Sequence, residues 1–99
     1  MPAPPDFLAH NEGDVVAVAV RDLVPGPVRG AYLDTDTEIE VQLRHEVPLG
    51  HKLALADIAA GAEVVEYRLP VGIASQDITT GDYVHTHNVR SARWQTSVA

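Results

Sequence analysis

The chain contains no cysteine. Disulfides and thiolate metal sites are thereby excluded, and a reducing, cytoplasmic setting is expected. Aromatic residues are also scarce, at 5% of the total, with one Trp, one Phe and three Tyr. The core must therefore be built from Val, Ile, Leu and Ala. No run approaches the roughly 20 apolar residues of a membrane span, so no membrane association is expected. Residues 1–6 lack the basic and apolar regions of a secretory signal, and none is expected there. Positive charge is short as well. Lys52 is the only lysine, the arginines are scattered, and the formal net charge is −7. A nucleic-acid partner is excluded for want of a basic footprint. An anionic ligand would have to be met by a local positive cluster, since the overall field repels it.

Hydrophobic residues make up 45% of the 99 residues, an ordinary share for a globular protein. The length fits one small domain. A chain of this size buries only about two-thirds of the surface that its unfolded form exposes. That leaves room for a modest core but little for a deep pocket. A substrate site is expected to be a surface patch, or one half of a site completed by a partner.

The pattern that is present is one of short strands. Residues 14–20, D-V-V-A-V-A-V, read as a buried strand. Residues 37–44, T-E-I-E-V-Q-L-R, alternate strictly, with Ile39, Val41 and Leu43 on the inner face. Residues 64–67 and 71–74 are two further short strands, with Pro70 confining their join to an edge or bend. Residues 83–88 close the series. A helical turn is expected only at residues 53–58. The residues divide into a loose Pro-rich leader (1–6), a folded domain (7–90) and a tail (91–99). The expected fold class is all-β with long loops.

A repeated punctuation runs between the strands. Asp22-Leu23-Val24-Pro25-Gly26, Asp57-Ile58-Ala59-Ala60-Gly61 and Asp77-Ile78-Thr79-Thr80-Gly81 share D-[I/L]-x-x-G. The Asp can bond backbone amides, the apolar residue can plug the core, and the Gly can exit with positive φ. These read as structural turns, each followed by a strand-like stretch.

Two constellations carry chemistry. In an extended strand, His85 and His87 would share a face as a bidentate arm for a transition metal or as donors to an anion. Asn88 follows them. The second is Pro48-Leu49-Gly50-His51-Lys52, a turn whose tip sets a donor or base, His51, beside the sole lysine. His10 opens a polar loop that ends at Asp14, which can cap the turn or orient the imidazole. His45 reads as a surface residue. Glu38, Glu40 and Glu46 read as a solvated face, not an acid/base pair. No nucleophile elbow or phosphate loop is present.

Residues 10–20, the Pro48-Leu49-Gly50-His51-Lys52 segment with its continuation to Ile58, Leu69-Pro70-Val71-Gly72 and Gly81-Asp82-Tyr83-Val84-His85-Thr86-His87-Asn88 occur in this order. Together they resemble the small subunit, or N-terminal domain, of the altronate dehydratase family. That family includes altronate and galactarate dehydratases and sulfolactate sulfo-lyases. The resemblance spans about residues 7 to 90 and implies a SAF-type β-clip fold. It also implies a lyase subunit, a hydro-lyase of sugar-acid metabolism that is inactive alone and is completed by a large catalytic subunit. Such enzymes remove water, or sulfite, from a small anionic hydroxy acid to leave an enol that becomes a 2-oxo acid. The chemistry needs a base, an acid for the leaving group and a cation for the carboxylate.

Carried over residue by residue, the resemblance implies catalytic roles for His51 and Lys52. It implies substrate contacts for His10, Asp14 and Asn88, and metal ligation by His85 and His87. The implied metal is divalent, iron or manganese. One departure is Val15, where the family often has Asn after the Asp. Two other roles stand beside the lyase: a non-catalytic substrate-binding module, and an interaction module with Arg93 and Trp94 as interface anchors. An exposed sheet edge also leaves a homo-oligomer open.

Overall fold

The computed structural model describes residues 4–67 and 69–91. The expected tail, with Arg93 and Trp94, lies outside the described residues apart from its first residue, Ser91. The described chain forms strands β1 (Phe7–Ala9), β2 (Val16–Ala19), β3 (Gly26–Tyr32), β4 (Glu38–Leu43), β5 (Lys52–Ala54), β6 (Glu63–Glu66), β7 (Leu69–Ala74), β8 (Tyr83–Val84) and β9 (Val89–Ser91). The all-β expectation holds. Among the described residues no helix is long and apolar enough to cross a membrane.

One sheet runs β4-β3-β1-β2-β5-β8 and the other β6-β7-β9. β1 lies parallel to β3, and the other pairings are antiparallel. The larger sheet divides two cores. Ala17 and Leu53 join Phe7, Val28, Val41 and Val47 on one side, while their neighbours Val16 and Ala54 join Ile58, Val64, Ala74 and Ile78 on the other. β2 and β5 are thus apolar on both faces, which is why residues 14–20 read as an almost unbroken hydrophobic run. The small side chains of β2 and a glycine in β3 make room for Phe7. A Cβ at Gly30 would collide with the Phe7 ring and carbonyl.

The D-[I/L]-x-x-G turns work in pairs. Ile58 and Ile78 exchange two backbone hydrogen bonds of 2.8 Å. Asp57 accepts from the Thr80 amide and hydroxyl, at 2.8 and 2.9 Å, and Asp77 accepts from the Ala60 amide at 2.9 Å. Leu23 makes the same bridge with Val47, at 2.9 and 3.0 Å, and Asp22 accepts from the Leu49 amide at 2.9 Å. The partner of the first turn is therefore a fourth copy, Glu46-Val47-Pro48-Leu49-Gly50. Pattern reading misses it because Glu and Val stand where the others have Asp and Ile or Leu. The equivalent bond from Glu46 would need an amide hydrogen on Pro25, which a proline does not have. Leu23, Val47, Ile58 and Ile78 are all buried, and each of the four turns leads into a strand: β3, β5, β6 or β8.

Two expectations are corrected. Residues 53–58 form no helical turn: Leu53 and Ala54 complete β5, whose two edges are taken by β2 and β8. Pairing on both sides outweighs the helix propensity of Leu and Ala. The strand expected over 83–88 ends at Val84. His85 to Asn88 form a turn instead, so His85 and His87 are not strand neighbours on one face. The turn closes because Asn88 is buried and its Oδ1 accepts from the His85 amide at 3.0 Å, while its Nδ2 donates to the Tyr83 carbonyl at 2.8 Å. Asp6, at the end of the expected leader, is fastened. It accepts from the Arg29 amide at 2.8 Å and from the Arg21 guanidinium.

These carboxylates tie stability to pH. Burial pushes Asp6 up, but the Arg29 amide and the Arg21 guanidinium outweigh it and hold the group below its ordinary 3.8. Asp57 is held below 3.8 by its two bonds from Thr80. A lowered folded pKa means stability that is fully present above the ordinary value and lost as pH falls from there through the lowered folded value. Asp6→Asn and Asp57→Asn are expected to lower the urea midpoint at pH 7. The difference from wild type should shrink as pH falls below the ordinary 3.8; a difference that stays constant over that fall would assign the cost to shape, not charge.

Candidate functional site

The 48–52 turn and the 83–88 turn meet through one short ladder. Lys52 stands opposite Val84 and Leu53 opposite Tyr83. Continuing that antiparallel count sets position 51 level with position 85, and the His51 and His85 rings lie 5.3 Å apart. Gly50 exits its turn at φ +84°, where a residue with a Cβ would be strained. Its amide donates to the Ala19 carbonyl at 2.8 Å, and the His51 carbonyl accepts from the Ala19 amide at 2.8 Å. His51 and Lys52 are therefore pinned to the end of β2.

Tyr83 gathers the imidazoles. Its hydroxyl lies 2.5 Å from His51 Nδ1. The His85 ring lies nearly parallel to the phenol ring at 5.5 Å, and the His87 ring is tilted against it at 5.8 Å. On the other side of the sheet edge, Lys52 Nζ meets Glu66 Oε1 at 2.6 Å, and Glu66 Oε2 is 3.9 Å from His10 Nε2. His10 stacks on Tyr67 with ring centres 3.6 Å apart. The Lys52 side chain is 39% exposed and that of Glu66 only 8%. The lysine thus reaches solvent from a buried carboxylate anchor.

A cleft of about 380 Å³ opens between the sheets. Val16, Val64, Val71, Val84 and Val89 supply its apolar lining, and Gly50, His51, Lys52, His85 and Thr86 its polar part. Of the residues expected at a site, it brings together His51, Lys52 and His85. His87 is exposed and rests against Tyr83. Asn88 is buried in turn closure. Asp14 is buried and accepts from the amides of Asn11 at 3.2 Å and Tyr67 at 3.0 Å. His10 sits behind Lys52 against Glu66. The corner around Asp14 is negative: burial first, and then Glu12, Asp14 and Asp34, push the Tyr32 hydroxyl upward.

His85 and His87 stand in a turn, and no group of three or more His, Asp or Glu among the described residues is placed to hold a metal ion. The described donor set does not make a metal site by itself.

The family model of the altronate/galactarate dehydratase SAF domain matches residues 5–92. The chain belongs to this family. The (2R)-sulfolactate sulfo-lyase subunit alpha of Chromohalobacter salexigens is 35% identical over 91 residues, covering 90% of this chain and 97% of that protein. The altronate dehydratase of Escherichia coli strain K12 is 47% identical over 78 residues, 79% of this chain but 15% of the enzyme. That of Bacillus subtilis is 33% identical over 85 residues, again spanning only 16% of the enzyme. The chain is thus a small SAF-type domain of a lyase family. It spans nearly all of a subunit alpha and a minor part of the altronate dehydratases.

Sequence reasoning missed Tyr83 and Glu66 as site residues. Tyr83 stood in the motif but read as a strand residue. Glu66 did leave a signal. It lies two residues from Val64, so strand alternation turns it to the buried face. A carboxylate there needs a cation, and the chain has one lysine.

The two halves of this ion pair are unequal. Removing Lys52 leaves a buried carboxylate, whereas removing the Glu66 charge leaves an ammonium that water can reach. With solvent screening discounted, Lys52→Met is expected to cost about 2 kcal/mol and Glu66→Gln about 1 kcal/mol. Urea denaturation at neutral pH reads the difference; a costlier Glu66→Gln would contradict this account.

Proposed function

We propose that this chain is the small, substrate-contacting subunit of a sugar-acid dehydratase. It would act with a large catalytic subunit on altronate-like hydroxy acids. The observation that carries the reading is the meeting of His51, Lys52 and His85 at one open cleft in a chain of this family. In the reaction, a proton leaves the carbon next to the carboxylate and hydroxide leaves the neighbouring carbon. The resulting enol then becomes a 2-oxo acid. Negative charge builds on the carboxylate side as the proton leaves. Lys52, held by Glu66, can meet the carboxylate, and His51 and His85 can bond to substrate oxygens. The valine lining suits the carbon chain. The cleft is lined from both sheets yet remains open to solvent, which fits a site completed by a partner.

The sulfo-lyase reading is favoured by one observation, the 97% coverage of a subunit alpha. In that reading sulfite leaves in place of water. Co-expression with a large subunit of the family decides between the two. 2-Oxo acid release from altronate is expected only when both chains are present, and Lys52→Ala should lower kcat/KM about 10- to 100-fold, as for a lost charge-assisted contact. Sulfite release from sulfolactate without turnover of altronate would replace the first reading with the second. Full activity of the large subunit alone would remove both.

A divalent metal, iron or manganese, needs ligands beyond the described residues, and the large subunit is their proposed source. The full chain alone is then expected to retain no stoichiometric iron or manganese after dialysis, by elemental analysis, while the assembled complex retains it. Stoichiometric metal on the single chain, lost in His85→Ala/His87→Ala, would instead put the site here.

A further inference from the structure

The structure assigns Tyr83 as a positioning residue: its hydroxyl fixes His51 in the tautomer that turns an Nε2–H donor to the cleft. The assignment rests on the proposed use of His51 at the substrate. His51 lines the cleft while Tyr83 does not; the phenol ring packs on the first core, and its hydroxyl meets Nδ1 at 2.5 Å. A neutral imidazole has one donor nitrogen and one acceptor nitrogen. Among the described residues the Tyr83 hydroxyl has no other hydrogen-bond partner, so its single hydrogen is donated to Nδ1. Nδ1 is then the acceptor, and the ring hydrogen sits on Nε2.

Tyr83 is itself held firmly enough to impose this choice. Its backbone is in the β5–β8 ladder, its carbonyl takes the Asn88 side-chain amide, and the His85 ring lies parallel to its own. The consequence is chemical. A His51 with Nε2–H outward is a neutral hydrogen-bond donor to a substrate oxygen, stabilising charge as it builds there. It is not the base that removes the carbon-bound proton, because its only lone pair is taken by Tyr83.

The test is the ring-nitrogen NMR spectrum of the full chain labelled with ¹⁵N-histidine. It is recorded about two pH units above the ordinary imidazole value of about 6.5. His51→Gln identifies the signal. A protonated Nε2 and a bare, hydrogen-bonded Nδ1 are expected in wild type, with tautomers mixing in Tyr83→Phe. A protonated Nδ1 in wild type, or a His51 signal unchanged in Tyr83→Phe, would overturn the assignment. Should Tyr83→Phe not fold, the wild-type spectrum still decides. No turnover is needed for this readout. The expected tautomer in a chain that supports no lyase activity would sink the proposed function alone, and active lyase with the opposite tautomer would sink this assignment alone.

Discussion

The bridge between Ile58 and Ile78 sets the position of everything at the cleft. Each isoleucine is buried, each backbone both gives and takes a hydrogen bond, and the flanking Asp57 and Asp77 take amides from the opposite turn. β5 runs into one side of this crossing and β8 leaves the other. Two further bonds, Gly81 amide to Ala54 carbonyl and Ala54 amide to Asp82 carbonyl, lock the register between them. A slip of one residue would turn Lys52 to the wrong face and part His51 from His85. The repeated turn is therefore structural in itself, yet it decides which side chains can share a substrate.

How much of this was legible in the sequence depended on which force decided each segment. Residues 38–43 were legible because one face is buried and one is wet, and alternation follows directly. β3 was not, because Pro27 and Gly30 break the pattern while its pairings with β1 and β4 restore the strand. β5 was mistaken for a helical turn because Leu and Ala favour helices, and only long-range pairing contradicts them. In the site, His51, Lys52 and His85 were legible through their motifs. The shared-face geometry of His85 and His87 was not, since Asn88 closes a turn by side-chain bonds that periodicity does not register. Tyr83 and Glu66 act through partners about 30 and 14 residues away in sequence, and local patterns carry little trace of such pairs.

Charge frames the binding problem. A chain of net charge −7 with one lysine cannot draw in an acid by its overall field. Even that lysine is shared with a buried glutamate, so the pair adds little net positive potential. What the cleft offers is donors in fixed places: an ammonium, imidazoles and a threonine hydroxyl above an apolar lining. Fixed donors discriminate by geometry more than by attraction. That suits a subunit whose partner can supply the missing positive charge.

The same reasoning explains why so small a domain can serve a demanding elimination. The side chains at the cleft stand on well-fastened backbone. His51 is held through Ala19 and Tyr83, Lys52 through Glu66, and His85 through Asn88. None of these fastenings needs the deep core that a chain of this length cannot build. Rigidity here comes from short ladders and paired turns, and such rigidity keeps donors aligned without reorganisation while charge shifts on a substrate. The cost is a cleft with one open side. A domain that spends its few buried residues on holding donors in place has little left to close the cleft over a substrate, and the same size limit that shaped the fold leaves the site open to solvent.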